Sequence, residues 1–322
     1  PPNFNINMDK NSIAKAAQLL ETKEDLLNLL NQIKQDEMAE CGMSDKFYPF
    51  TMKHLNYYCN PNNSFHRYKQ FKIKKKSGGF RLITAPRNQS FILLLRYVNE
   101  IFKAVYTPSD YAMGFTEERS VVTNADMHKG HNYVFNIDLK DFFPSIHQAR
   151  VWKRLQLKPL LFKQPIANVV AGLCSMKEKM EDGSVRYVLP QGAPTSPIIT
   201  NMICDNLDRR LAGLAKRFGV VYSRYADDIT FSSMHNVYHP SGEFINELRR
   251  IVESQGFIMN EDKTRLQKLG TRQEVTGIIV SDKLNVSQKY VRDIRNILYI
   301  WRKYGYATAF NKFFPRYKET KG

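Results

Sequence analysis

Apolar residues first recur at helical spacing between Ser12 and Met38, at Ile13, Ala16, Ala17 and Leu20, then at Leu26, Leu29, Leu30 and Ile33. That fills one face of a 3.6-residue period and predicts two helices, the second capped by Thr22 with Asp25 three residues on. The run NPNN at 60–63 reads as a turn. From 65 to 83 the pattern loosens into alternation, Tyr68-Lys-Gln-Phe-Lys-Ile and then Phe80-Arg-Leu-Ile around Ser77-Gly78-Gly79. This predicts a strand pair, stopped by Pro86. Residues 90–106 form a helix with a wide apolar face, and 131–139 are a short β-rich run closed by Phe142-Phe143-Pro144. Helical patterns continue to about Met180, followed by an EDG turn at 181–183 and a strand at 185–189. Prolines fix the entry of a helix at 197–218, Gly219 ends it, and 220–233 reads as strand, tight turn, strand. An amphipathic helix at 244–255, short strands at 275–280 and 284–286, and a last helix at 288–303 complete the chain. Ser287 caps that last helix, whose apolar stripe is Val291, Ile294, Leu298 and Trp301. The sum is an α+β fold with a mostly antiparallel sheet.

Composition narrows the class. The 322 residues are 43% hydrophobic with 20 Phe and 17 Tyr, enough for sizeable cores in two or three packed units and too much for a disordered chain. No apolar run approaches the ~20 residues that span a bilayer, and the N-terminus, which begins without Met and offers Met8 as a plausible start, lacks a basic segment followed by an apolar one. A soluble, cytoplasmic protein without a membrane partner is expected. Cys41, Cys59, Cys174 and Cys204 are widely spaced, which excludes a disulfide framework and a CxxC zinc site and suits reduced thiols. The pairs His128/His131 and His235/His239 have metal-compatible spacing but no third ligand nearby, so they are read as structural.

The net charge of +17 is concentrated in two windows. Residues 65–103 hold ten Lys or Arg against one acid, and residues 283–322 hold ten against two, so the rest of the chain is balanced. Two basic segments flanking a neutral middle suit two walls gripping a polyanion; a merely solubilising surface is the plain alternative.

Candidate chemistry lies in that middle. Asp138 closes an apolar strand in NIDLKDFF, and Asp227 and Asp228 stand at a strand turn in RYADDITF. Carboxylates among β-branched and aromatic residues are costly to bury unless a cation takes their charge. Brought together, three of them would hold hard divalent cations, and two Mg²⁺ ions so held can drive in-line displacement at phosphorus. Taken alone, a DD dipeptide is far more often a solvated turn, since Asp favours turns anyway.

The order of the strings adds a resemblance. KKKSGGFRLITAP, GFTEERSVVTNADMH, FNIDLKDFFPSI, LPQGAPTSPIITN, YSRYADDITFS, GFIMNEDKT and EVTGIIV follow one another along the chain. They resemble the successive blocks of a reverse transcriptase, most nearly the bacterial retron type, over about residues 65–300. The resemblance implies a right-hand polymerase fold: an N-terminal helical extension at 1–64, fingers and an antiparallel-sheet palm at 65–284, and the start of a helical thumb at 285–322. It also implies RNA-directed DNA synthesis from deoxynucleoside triphosphates with two Mg²⁺ ions.

By motif, Asp138 matches the first metal-binding aspartate, Asp227 the second and Asp228 a supporting third, with the main chain of Leu139 as a further metal contact. Phe143 matches the bulky residue beneath the sugar, where a rigid ring rejects ribonucleotides by clash. Lys75 and Arg81 match basic residues that hold the triphosphate, and Lys74 and Lys76 fall on the other face by strand alternation, toward nucleic-acid phosphates. Register decides which of the three lysines meets the nucleotide. Gln191 and Gly192 match the block along the incoming nucleotide. Lys263 matches the lysine that protonates the leaving pyrophosphate, with an exposed ion pair to Asp262 as its plain alternative. Thr276 and Gly277 resemble the primer grip, and Lys289, Arg292 and Arg295, on one face of the last helix, would follow phosphates of an RNA–DNA duplex.

A structured non-coding RNA as template and primer, an effector protein as partner and service in phage defence belong to the same implication. The chain reaches PRYKETKG soon after its first thumb helix, so either the sequence stops inside the thumb or the thumb is reduced. Two rivals remain. One is another bacterial reverse-transcriptase lineage, group II intron-like, diversity-generating or defence-associated; Ser196-Pro197 stands where the diversity-generating type has SQ. The other is a non-catalytic RNA-binding scaffold with the same fold, for which three carboxylates would have no use.

Overall fold

The computed structural model describes residues 9–74, 78–179 and 183–321, with side chains to 315. Lys75, Lys76 and Ser77, together with Glu181 and Asp182 of the expected turn, lie outside the described residues. Contacts divide the chain into two compact units, Pro1–Lys69 with Thr84–Pro108 and Asp141–Cys204, and Gln70–Ile83 with Ser109–Lys140 and Asp205–Gly322. The expected strand pair forms a two-stranded sheet of Tyr68–Lys74 and Phe80–Pro86.

The first unit is mainly helical. Helices Lys10–Gln18 and Lys23–Glu40 realise the N-terminal periodicity, and Thr22 and Asp25 form the expected reciprocal capping box. Both pack on helix Gln89–Val105, where Phe91, Leu94, Leu95 and Phe102 are fully buried. Helices Met52–Tyr58 and Gln164–Leu173 close the same core. Between them Arg67, at 0% exposure, donates to the carbonyls of Tyr58, Gly172 and Ser175. It therefore serves the interior and not a polyanion-binding wall. Arg96 is likewise engaged by Glu37, and Lys103 by Glu100. The helical reading fails past residue 173: Met176–Lys179 is a strand paired antiparallel with Val185–Val188. The segment Met-Lys-Glu-Lys buries only Met176, and cross-strand pairing overrides the helix preference of Lys and Glu.

The second unit is built on a four-stranded antiparallel sheet in the order Val221–Tyr225, Asp228–Ser233, Tyr133–Asp138, Arg265–Lys268. Period-2 alternation sorts its faces. Tyr222, Phe231 and Phe135 are cross-strand neighbours on one face. The Phe231 and Phe244 rings meet at 5.1 Å, which docks the amphipathic helix Glu243–Ser254 there. The opposite face is polar: Ser223, Thr230 and Asn136 pair across it, and so do Asp228 and Asp138 at its end. A three-stranded sheet of Glu274–Val275, Ile278–Val280 and Leu284–Asn285 packs on helix Val121–Asp126 through Ala125, Val134, Val275 and Val280. The single strand expected at 275–280 is thus two, turned at Thr276-Gly277.

The last helix, Gln288–Lys321, is broken at Gly305 (φ 82°), so a second helical segment follows the expected one. Its apolar stripe stays in solvent: Leu298 and Trp301 are half exposed, and Ile300 is the buried residue of that stretch. No helix among the described residues is long and apolar enough to cross a membrane.

Candidate active site

Strand ends bring the carboxylates together. Asp138 ends its strand directly opposite Asp228, and Asp228 opens the next strand opposite Tyr225, leaving Ala226 and Asp227 as a two-residue turn. Ala226 adopts φ 57°, and the Leu139 amide donates to the Asp227 carbonyl at 3.0 Å, which ties the turn to the end of the Asp138 strand.

Three residues that sequence reasoning did not single out hold this hairpin. Arg224 and Asp208, both at 0% exposure, form a two-pronged ion pair at 2.7 and 2.8 Å. The remaining Arg224 nitrogen donates to the Ala226 carbonyl at 3.2 Å, and the Tyr222 hydroxyl to Asp208 at 2.8 Å. From the other side Gly114 lies against the turn: a Cβ there would stand 2.7 Å from the Ala226 nitrogen. In sequence, Arg224 and Asp208 look like two more surface charges, and Gly114 like a loop glycine.

Electrostatics at the turn are unbalanced. Partial desolvation, followed by the charges of Asp227 and Asp138, pushes Asp228 up to about 6, while Lys263 and Arg265 oppose the shift. Asp228 remains open to solvent on one side. Asp227 is also raised, chiefly by burial and then by Asp138, and the positive charges of Lys263 and Arg81 pull the other way. Asp138 is neutralised directly. Lys263 Nζ lies 2.9 Å from both its oxygens, and Asn260 donates to it at 3.2 Å. Lys263 therefore pairs with Asp138 and not with its neighbour Asp262.

Asp138, Asp228, Lys263, Arg265, Thr276 and Gly277 line a pocket of about 500 Å³. Thr276 has φ 48°, a strained conformation for a β-branched residue. Arg81 and Lys74 are exposed on the two-stranded sheet, and Lys289, Arg292 and Arg295 are exposed along the last helix. Phe143, Gln191 and Gly192 belong to the other unit. There Phe142 is core and Phe143 half-buried, with their rings edge-on at 5.5 Å. The Gln191 carbonyl accepts from the Thr84 amide at 2.8 Å, and Gly192 takes φ 134°, a conformation suited to glycine.

Among the described residues no three His, Cys, Asp or Glu side chains already converge closely enough to share a metal ion, and the Lys263 ammonium stands against Asp138 as a cation would. The donor set nevertheless suits hard divalent cations. It consists of carboxylate oxygens, and burial first and then the neighbouring carboxylates raise Asp227 and Asp228, a cost that a bound cation would offset. Of the histidine pairs, His128 is buried between Ser223 and Ser232, and His239 bonds Ser241.

Comparison with known proteins gives the following. Residues 73–287 match the family model described as reverse transcriptase (RNA-dependent DNA polymerase). Retron Mx65 reverse transcriptase of Myxococcus xanthus is 37% identical over 74% of this chain and 57% of its own length. Retron Mx162 reverse transcriptase of the same organism is 36% identical, covering 68% of this chain and 49% of its own. Retron Ec86 reverse transcriptase of Escherichia coli is 32% identical over 71% of this chain and 68% of its own. The chain thus spans about half the length of the two Myxococcus relatives.

Proposed function

The chain belongs to the reverse transcriptase family, in its bacterial retron type, and from that premise we propose that it is an RNA-directed DNA polymerase. The observation that carries this reading is the facing pair Asp138 and Asp228 beside Asp227, at the open end of a polar sheet face. Two Mg²⁺ ions at Asp138 and Asp227 would activate the primer 3′ oxygen and offset charge on the leaving pyrophosphate. Asp228 adds negative charge that favours their binding. Lys263, held on Asp138, would be released from that carboxylate were a cation bound there, and its ammonium could give a proton to the leaving pyrophosphate.

Lys75 and Arg81 hold the triphosphate, with Gln191 and Gly192 along the nucleotide, and Phe143 excludes the 2′-hydroxyl. Thr276 and Gly277 hold the primer end. Lys74 and Lys76, and Lys289, Arg292 and Arg295 of the thumb, meet phosphates of the template–primer duplex. The template is a structured non-coding RNA, and service in phage defence with an effector protein extends the same proposal. The expected subdivision into extension, fingers and palm, and thumb is part of it.

Primer extension on an annealed RNA template with Mg²⁺ tests this reading. Wild type should incorporate dNTPs and not rNTPs, Asp227→Asn should lose at least about a thousandfold in rate, and Phe143→Ala should admit rNTPs. Activity retained in Asp227→Asn would refute the assignment. Phage protection retained by an inactive Asp227→Asn would favour the scaffold reading.

A further inference from the structure

A directed chain of hydrogen bonds runs from the polar sheet face to the pocket. Ser223 donates its hydroxyl proton to Asn124 Oδ1 at 2.6 Å, so its oxygen is left to accept from His128 Nε2 at 2.7 Å. A neutral imidazole protonated on Nε2 must accept at Nδ1, where Ser232 Oγ lies at 2.7 Å. Burial pushes His128 down to about 3, so the ring is neutral at physiological pH. At the other end Asn124 Nδ2 donates to Thr276 Oγ1 at 3.3 Å, and Thr276 passes its own proton to the Val121 carbonyl at 3.2 Å. Each of the five donors passes one hydrogen forward, so five bonds share one direction from Ser232 to Val121.

His128, Ser223, Ser232 and Asn124 are at most 1% exposed. In that setting a lost partner leaves a buried polar group unsatisfied, and the chain holds or fails as a unit. Its ends have meaning. Ser223 and Ser232 lie on the two strands whose connecting turn presents Asp227 and Asp228. Thr276 is the strained residue in the pocket wall. No hydrogen bond joins the helix Val121–Asp126 to the carboxylates among the described residues, yet its Asn124 joins both features.

We propose that Asn124 and His128 are positioning residues that register the Thr276-Gly277 turn, and with it the end of a bound primer, against the carboxylate hairpin. The primer half of this statement rests on the polymerase reading; the registering of the turn does not.

Asn124→Asp is the informative variant, because it keeps the acceptor for Ser223 and loses the donor to Thr276. It should raise the KM for template–primer about tenfold while kcat and the KM for dNTP stay within about twofold. Amide exchange at Thr276 and Gly277 should quicken about tenfold. In a Thr276→Val background Asn124→Asp should add nothing. Equal rises in both KM values, or full additivity in the double variant, overturn the proposal. If wild type extends no primer, the polymerase reading falls and exchange decides alone: unchanged rates at Thr276 and Gly277 overturn the registering, faster rates uphold it. Should Asn124→Asp fail to fold, Thr276→Val breaks the chain at its half-buried end, and exchange at Gly277 then decides in the same way.

Discussion

Among the described residues two arginines are wholly removed from solvent, one in each compact unit, and they are held in different ways. Arg224 meets the full charge of Asp208 through two hydrogen bonds and spends its remaining nitrogen on the Ala226 carbonyl. Arg67 meets main-chain carbonyls at the ends of helices Met52–Tyr58 and Gln164–Leu173, and lies 5.3 and 5.4 Å from the ring centres of Tyr68 and Phe91. Helix C-termini carry partial negative charge, so Arg67 is compensated in fractions. Burial pushes its pKa down, and its Nε has no partner among the described residues. A full counter-charge fixes direction as well as energy. The fractional arrangement gathers helix ends; the paired one sets the turn that presents Asp227.

The strongest test of this difference is Arg224→Met. It leaves Asp208 charged and unpaired in the interior, and should cost about 3–5 kcal/mol in urea unfolding. The double variant Arg224→Met/Asp208→Leu should regain most of that loss, because no orphan charge remains. A double variant as unstable as the single would mean that shape, not charge, holds the turn. Arg67→Met should cost less, about 2–3 kcal/mol, since it orphans carbonyls and no ion. Equal losses at the two arginines would erase the distinction.

Neither arginine could be separated from its neighbours in the sequence. Arg67 sits in the most basic window of the chain and counted toward a wall for a polyanion. Its burial depends on carbonyls more than 100 residues away, a pairing without any local signal. What was legible is what short-range pattern encodes: the Thr22 capping box, the helix at 90–106 and the strands around Asp138 and Asp227. Taken singly the aspartates were weak signals; the order of the strings around them, and the resemblance it carries, singled them out. His128 and Asn124 did not stand out, because a buried polar network is recognisable only by its partners on other strands.

Gly114→Ala approaches the same turn without touching any charge. The added carbon would meet main-chain atoms that cannot swing aside, so the turn must shift. Stability should fall by about 1–2 kcal/mol. The rate of primer extension should fall about tenfold or more, because displacing Asp227 by a fraction of an ångström spoils alignment. A stability loss with unchanged rate would show that the turn need not be held so closely.

The smallest effect is the one whose sign separates the buried, paired Asp208 from Asp228 at the turn. Asp208→Asn should destabilise, since Arg224 loses its counter-ion. Asp228→Asn should do the reverse. The folded value of Asp228, about 6, lies above its ordinary 3.8, so between about pH 4 and 6 the folded chain keeps a proton that the unfolded chain has released. Stability contributed by this group is therefore present at low pH, declines as pH rises through that window, and is replaced by a full penalty above about pH 6. Asparagine does not titrate, so the variant should gain at pH 8 and lose that advantage by about pH 4. Because Asp228 is open to solvent on one side, screening should hold the gain to about 1 kcal/mol. Thermal unfolding of wild type and Asp228→Asn at pH 4, 6 and 8 reads it directly. Millimolar Mg²⁺ at pH 8 should then stabilise wild type more than the variant, because a cation relieves the repulsion that the substitution has already removed. A gain that is constant across pH, or untouched by Mg²⁺, would show that Asp228 carries no strained charge and that the two carboxylates differ only in burial.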